Sequence, residues 1–73
     1  TIMKAKEEKN WFVYVAEIYG TKETLIESGL TQIEAQKLHE EYSRNCERNS
    51  PNEYASYGDT VSNEVIAKRL NII

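Results

Sequence analysis

Residues 11 to 18 read WFVYVAEI, and no other stretch of this 73-residue chain narrows its fold so much. The run combines aromatic and β-branched side chains, which suit a pleated surface, and it is too short for a buried helix of typical length. It reads as a strand covered by other elements. YGTKE follows with a glycine among polar neighbours, and TLIES then resumes the same composition, so residues 10 to 28 are expected to form a hairpin over a short loop. A hairpin alone is barely stable in water. Something has to lie across it.

GLTQIEA, beginning at Gly29, is a helix start that can supply the cover. Thr31 can cap the first turn, Glu34 can reach back to complete a capping box, and Leu30 with Ala35 occupy the positions of a hydrophobic staple. A helix is therefore expected over residues 31 to 48. Ala35, Leu38, His39, Tyr42 and Cys46 fall within one arc of about 100°, the stripe that would meet the sheet. Lys37 with Glu41, and Glu40 with Arg44, stand at i,i+4 outside the stripe and can pair across the solvated face.

After Asn49 the pattern stops. Residues 49 to 63, including SPNEYASYGD with its Pro51 and Gly58, read as a long loop, and such loops are commonly disordered or functional. Residues 64 to 73, NEVIAKRLNII from Asn63 onward, are ambiguous. Val65, Ile66, Ile72 and Ile73 favour a strand, whereas Ala67 to Leu70, with Ser62 as a cap, favour a helix. The strand is preferred because two strands under one helix make too small a core. The expectation is a single α+β domain, ββαβ, in which a small antiparallel sheet of hairpin plus C-terminal strand lies under one main helix. Residues 1 to 9 would be a charged lead-in.

A chain this short buries only about 60% of the surface its unfolded form exposes, so dimerisation would be a natural support. The one cysteine, Cys46, cannot form an internal disulfide and favours a reducing compartment. TIMKAKEEKN is too charged for the core of a signal peptide, and no apolar run is long enough to span a bilayer. A cytoplasmic protein without a membrane partner is expected. The net charge is −3, and residues 10 to 34 set Glu17, Glu23, Glu27 and Glu34 against Lys22 alone. Phosphate backbones need a cationic footprint, so direct nucleic-acid binding is disfavoured.

No residue pattern points to catalysis. His39 has no ligand or general-base partner at workable spacing and reads as a stripe histidine touching the sheet. Cys46 lacks an activating context and reads as a buried thiol. Gly20, Gly29 and Gly58 do not form a phosphate loop. The chain is expected to be no enzyme and to need no cofactor or metal.

Tyrosine is the unusual element, supplying 5 residues against one tryptophan and one phenylalanine. Tyr14 and Tyr42 read as core. Tyr54 and Tyr57 stand in the expected loop, where they can either fold back onto the core or serve as aromatic anchors of an interface. Glu23, Glu27 and Glu34 form the expected acidic patch, which either keeps the domain soluble or imitates DNA to a basic groove.

Several residues, taken in order, resemble a known family. Gly29, Leu30 and Thr31 open a helix after a hairpin, Tyr57, Gly58 and Thr60 follow, and Glu64, Ile66, Arg69 and Leu70 lie near the C-terminus. This order is similar to that of the short dimeric uracil-DNA glycosylase inhibitors encoded by phages. The resemblance implies a homodimer that holds an apolar side chain of the enzyme's DNA-binding loop, with acidic groups around it standing in for DNA. The family's helix places an aromatic, an acidic and a second aromatic residue at its pocket, where this chain has Ala35, Gln36 and His39.

The expected function is stoichiometric inhibition of a host or defence nucleic-acid enzyme by a small phage or mobile-element protein. Uracil-DNA glycosylase is the first suspect and a CRISPR or restriction nuclease the next, with Glu23, Glu27, Glu34, Tyr54 and Tyr57 as partner-binding residues. The alternative is a regulatory or assembly module that works by self-association or subunit pairing.

Overall fold

WFVYVAEI forms the middle of the sheet. β1 (Trp11–Glu17) lies between β2 (Glu23–Leu30) and β3 (Glu53–Asp59), with both pairings antiparallel. The computed structural model describes residues 9–73; apart from Lys9, the charged lead-in expected over residues 1 to 9 lies outside the described residues. Helix α1 (Gln32–Asn49) covers one face of the sheet, and a short helix, α2 (Glu64–Arg69), covers the other.

This two-sided cover explains the unbroken apolar run, since a strand buried on both faces need not alternate with polar residues. Val13 packs with Leu30 and Ala35 on the α1 side. Phe12, Tyr14 and Ala16 pack with Ala67 on the α2 side, where Ile66, Leu70 and Ile72 add partly buried surface.

The start of α1 follows the sequence closely. Thr31 is the N-cap, its hydroxyl accepts the Glu34 N–H, and Glu34 Oε1 accepts the Thr31 N–H at 2.9 Å. Leu30 and Ala35 meet in one core cluster, as a staple requires. The stripe is also as expected, with Ala35 and Cys46 buried and Leu38, His39 and Tyr42 half-buried.

The three-stranded antiparallel sheet and the main helix are present, but the third strand is not the one expected. It is Glu53–Asp59, inside the segment read as loop, and residues 64 to 69 are helical. EYASYGD has few strand-forming residues, yet its register with β1 runs unbroken from Trp11 opposite Asp59 to Glu17 opposite Glu53. Tertiary pairing decides here over local preference. Phe12, fully buried, lies directly across from Gly58, whose missing side chain leaves room for Asn63 to pack against the strand.

Of the isoleucines that suggest a C-terminal strand, Ile66 lies within α2 and Ile72 belongs to its stop. Asn71 has φ 62, its N–H bonds to the Lys68 carbonyl, and the Ile72 N–H bonds to the Ala67 carbonyl. That is a Schellman motif with asparagine in the left-handed position, and its apolar contact is the packing of Ile72 near Ala67. The cap at the other end is Asn63 and not Ser62.

β2 is the irregular strand. Its register against β1 shifts twice, so that Ser28 and Gly29 stand opposite Phe12 alone and Ile26 is extra between the Val13 and Tyr14 pairs. Gly29 has φ +71, which suits the first of these bulges.

Candidate functional site

α1 lies chiefly over β1 and β3, which leaves a trough between one flank of the helix and β2. Glu27, Leu30, Glu34, Lys37, Leu38 and Glu41 line one part, a concavity of about 310 Å³. The trough continues along the helix past Leu38, Glu41, Tyr42 and Asn45 through a second concavity of about 350 Å³. From Glu34 to Asn45 the helix advances roughly 16 Å.

The trough has an apolar floor and an acidic rim. Leu30 is buried, Leu38 and Tyr42 are half-buried, and Glu27, Glu34 and Glu41 are exposed above them. Lys37 is the one cation among the lining residues. The spacing on α1 produces this arrangement, since residues 34, 37, 38, 41 and 45 recur every three or four positions and so share a flank. Glu34 is held in place: the Thr31 backbone N–H on its carboxylate, helped by the Thr31 hydroxyl and the charge of Lys9, lowers its pKa below the ordinary carboxylate value. The expected surface pairs Lys37 with Glu41 and Glu40 with Arg44 are not closed. Among the described residues the ion pairs are Lys68–Glu64 and Arg69–Glu23. Among the described residues Glu41 has no ion-pair partner.

Of the expected partner-binding residues, the trough brings together Glu27 and Glu34. Glu23 lies elsewhere: it is opposite Ala16 on the α2 side, where its two oxygens accept from Arg69 Nε at 2.9 Å and Nη2 at 2.7 Å. The Arg69 hydrogen bonds, aided by its charge, pull the Glu23 pKa down. Tyr54 and Tyr57 do not act together. Three positions apart on a strand they point to opposite faces.

Tyr57 faces α1, half-buried, with its ring centroid 4.9 Å from that of His39 and 5.7 Å from that of Trp11. Its hydroxyl accepts from Gln36 Nε2 at 3.2 Å. Tyr54, opposite Ala16, faces the α2 side and is 45% exposed. Glu41, Leu38, Tyr42 and Asn45 were missed as site residues, although the repeat that carries Glu34 along α1 reaches all four.

His39 is half-buried in the stripe, with Nε2 at 3.3 Å from Ser43 Oγ. Cys46 is buried, and burial, with a smaller push from Glu53, raises its pKa. Both sit under the helix rather than in the trough. Among the described residues no three of His, Cys, Asp and Glu converge in a way that can hold a metal ion. No helix among them is long and apolar enough to cross a membrane.

A larger concavity, about 510 Å³, opens at the other end of the sheet between the β1–β2 and α1–β3 loops, with Glu17, Tyr19 and Glu53 among its walls. It is a cleft between two loops with no aliphatic floor, so the trough is the better candidate for holding a protein segment. Comparison with protein-family models, with curated proteins and with solved structures finds no match for this chain.

Proposed function

We propose that this chain is a small non-catalytic inhibitor of the kind carried by phages and mobile elements, which acts in the host cytoplasm by binding a nucleic-acid enzyme of the host or its defence systems. The observation that carries this reading is the trough, whose leucine and tyrosine floor is rimmed by Glu27, Glu34 and Glu41. An enzyme that grips DNA presents basic residues around inserted apolar ones, and the trough offers the complement of both. On this reading Glu27 and Glu41 take the part of phosphates, and Leu30 and Leu38 receive the apolar insert. Uracil-DNA glycosylase is the first target to test, and a CRISPR or restriction nuclease is next.

Titration of purified uracil-DNA glycosylase with the chain should reduce uracil excision to a plateau at a fixed molar ratio. Joint replacement Glu27→Gln and Glu41→Gln should slow association about tenfold at low salt with the fold unchanged. If the enzyme is neither bound nor inhibited, the same titration moves to the nucleases.

A second reading, pairing with another copy as an assembly module, rests on the outer edge of β3. The hydrogen bonds Thr60 N to Asn10 O and Ile18 N to Asn52 O set the parity of the β1–β3 ladder. Amides at 53, 55, 57 and 59 therefore point away from β1. Glu53 N is taken by the Ser50 carbonyl and Asp59 N by Asn63 Oδ1, and among the described residues the amides of Ala55 and Tyr57 are left to receive a further strand. Sedimentation of the chain alone separates the readings, since a concentration-dependent dimer that survives high salt favours assembly.

A further inference from the structure

α2 and the residues after it are joined to the rest of the molecule in an unusual way. The backbone hydrogen bonds of this segment stay within it, from Ala67 to Asn63, Leu70 to Ile66, Asn71 to Lys68 and Ile72 to Ala67. Among the described residues its polar ties to the sheet are the two bonds of the Arg69 fork to Glu23. A helix of six residues cannot stand alone in water. It holds its shape because Ile66, Ala67, Leu70 and Ile72 rest on Phe12, Tyr14 and Ala16.

The fork sits over a row of three paired residues. Glu23 is opposite Ala16 on β1, and Ala16 is opposite Tyr54 on β3. The small Ala16, 4% exposed, stands in this row between the Glu23 carboxylate and the Tyr54 phenol. The turn before α2 is secured separately. Asp59 Oδ1 accepts the N–H groups of Val61 and Ser62, and Asn63 Oδ1 accepts the Asp59 N–H at 3.2 Å. The segment thus has a fixed root at Asp59–Asn63 and a single polar fastening at its far end.

We propose that residues 64–73 are a latched lid, which opens as a unit about the Asp59–Asn63 turn when the Arg69–Glu23 fork releases, while the sheet and α1 stay folded. Glu23 and Tyr54 then belong to the lid's seat and not to the partner-binding surface. Opening uncovers Phe12, Tyr14 and Ala16, an apolar face on the side of the sheet away from the trough.

Native-state hydrogen exchange of the full chain, followed residue by residue, tests this. The amides of Ala67, Leu70, Asn71 and Ile72 should exchange at a common opening rate at least about tenfold faster than those of Phe12 and Tyr14. Glu23→Gln should speed the four lid amides a further tenfold or so and leave the sheet amides where they were. Arg69→Lys, which keeps the charge and loses the fork, should fall between. If Glu23→Gln does not fold, a salt series on the unaltered chain decides, because screening should speed the lid amides selectively. Lid and sheet amides that exchange together, or lid amides unmoved by both the substitution and salt, would overturn the proposal.

Discussion

β2 and β3 flank the same strand, and they are opposites. β2, ETLIESGL, has the better strand-forming residues, yet it is twice bulged and mostly exposed. β3, EYASYGD, has glycine, serine, alanine and two acids, yet it keeps perfect register and exposes only Tyr54. The difference lies in what covers them. β3 is held between α1 and the turn into α2, where small residues let those elements come close, so Ala55 and Gly58 are assets. β2 is the rim of the trough, where twist and exposed polar groups suit a binding surface and blunt an open edge.

The two glycines give the sharpest way to break this comparison. A Cβ on Gly58 would lie 2.5 Å from Asn63 Oδ1 and 2.8 Å from its Cγ, and that side chain is fixed by its bond to the Asp59 N–H. Gly58→Val should cost about 3 kcal/mol, read from the urea midpoint. A cost under about 1 kcal/mol would mean that β3 tolerates change as β2 does.

Next in size are the tyrosines of β3. Tyr57→Ala removes a ring packed against Trp11 and His39 and should cost about 2 kcal/mol, whereas Tyr54→Ala should cost less than about 1 kcal/mol. Equal losses would show that the two faces of β3 are held alike. On β2, Gly29→Ala meets no atom within 4 Å and suffers only from its φ of +71, so about 1 kcal/mol is expected in the same unfolding assay.

The smallest effect is that of acid. Glu23 on β2 has a lowered pKa because it accepts from Arg69, and Glu34 has one because it accepts from the Thr31 backbone. Each contributes stability that is full above the unfolded value of about 4.3 and is lost as pH falls through the lower folded value. Melting temperature should be level with respect to these two groups near neutrality and begin to fall below about pH 4, and Glu23→Gln should make that fall shallower.

Half of this architecture was legible in the residues because it is local. The hairpin, the Thr31–Glu34 box and the stripe from Ala35 to Cys46 are written in neighbouring positions, and Glu27 and Glu34 follow from them. β3 was not legible, because its strand character comes from β1, far away in the chain, and from α1 on one side and the turn into α2 on the other. α2 is hidden for a different reason: Val65, Ile66, Ile72 and Ile73 read as one β-branched set, although Asn71 divides them between a helix and its stop. Glu23 looked like a free surface acid because nothing in its neighbourhood announces Arg69. Tyr54 and Tyr57 are a pair only in a loop, and the strand sends them to opposite faces.

The central place of β1 has a consequence for how the molecule is made. Synthesis delivers WFVYVAEI first of these elements, with β2 next and the helix after it, so a hairpin under α1 can gather while the chain is still growing. β3 comes only after the whole of α1, and α2 later still. Until they emerge, Phe12, Tyr14 and Ala16 have no cover. The slow step should therefore be closure of the long loop that brings Glu53–Asp59 to β1, and the growing chain carries its stickiest segment uncovered until β3 and α2 have followed it.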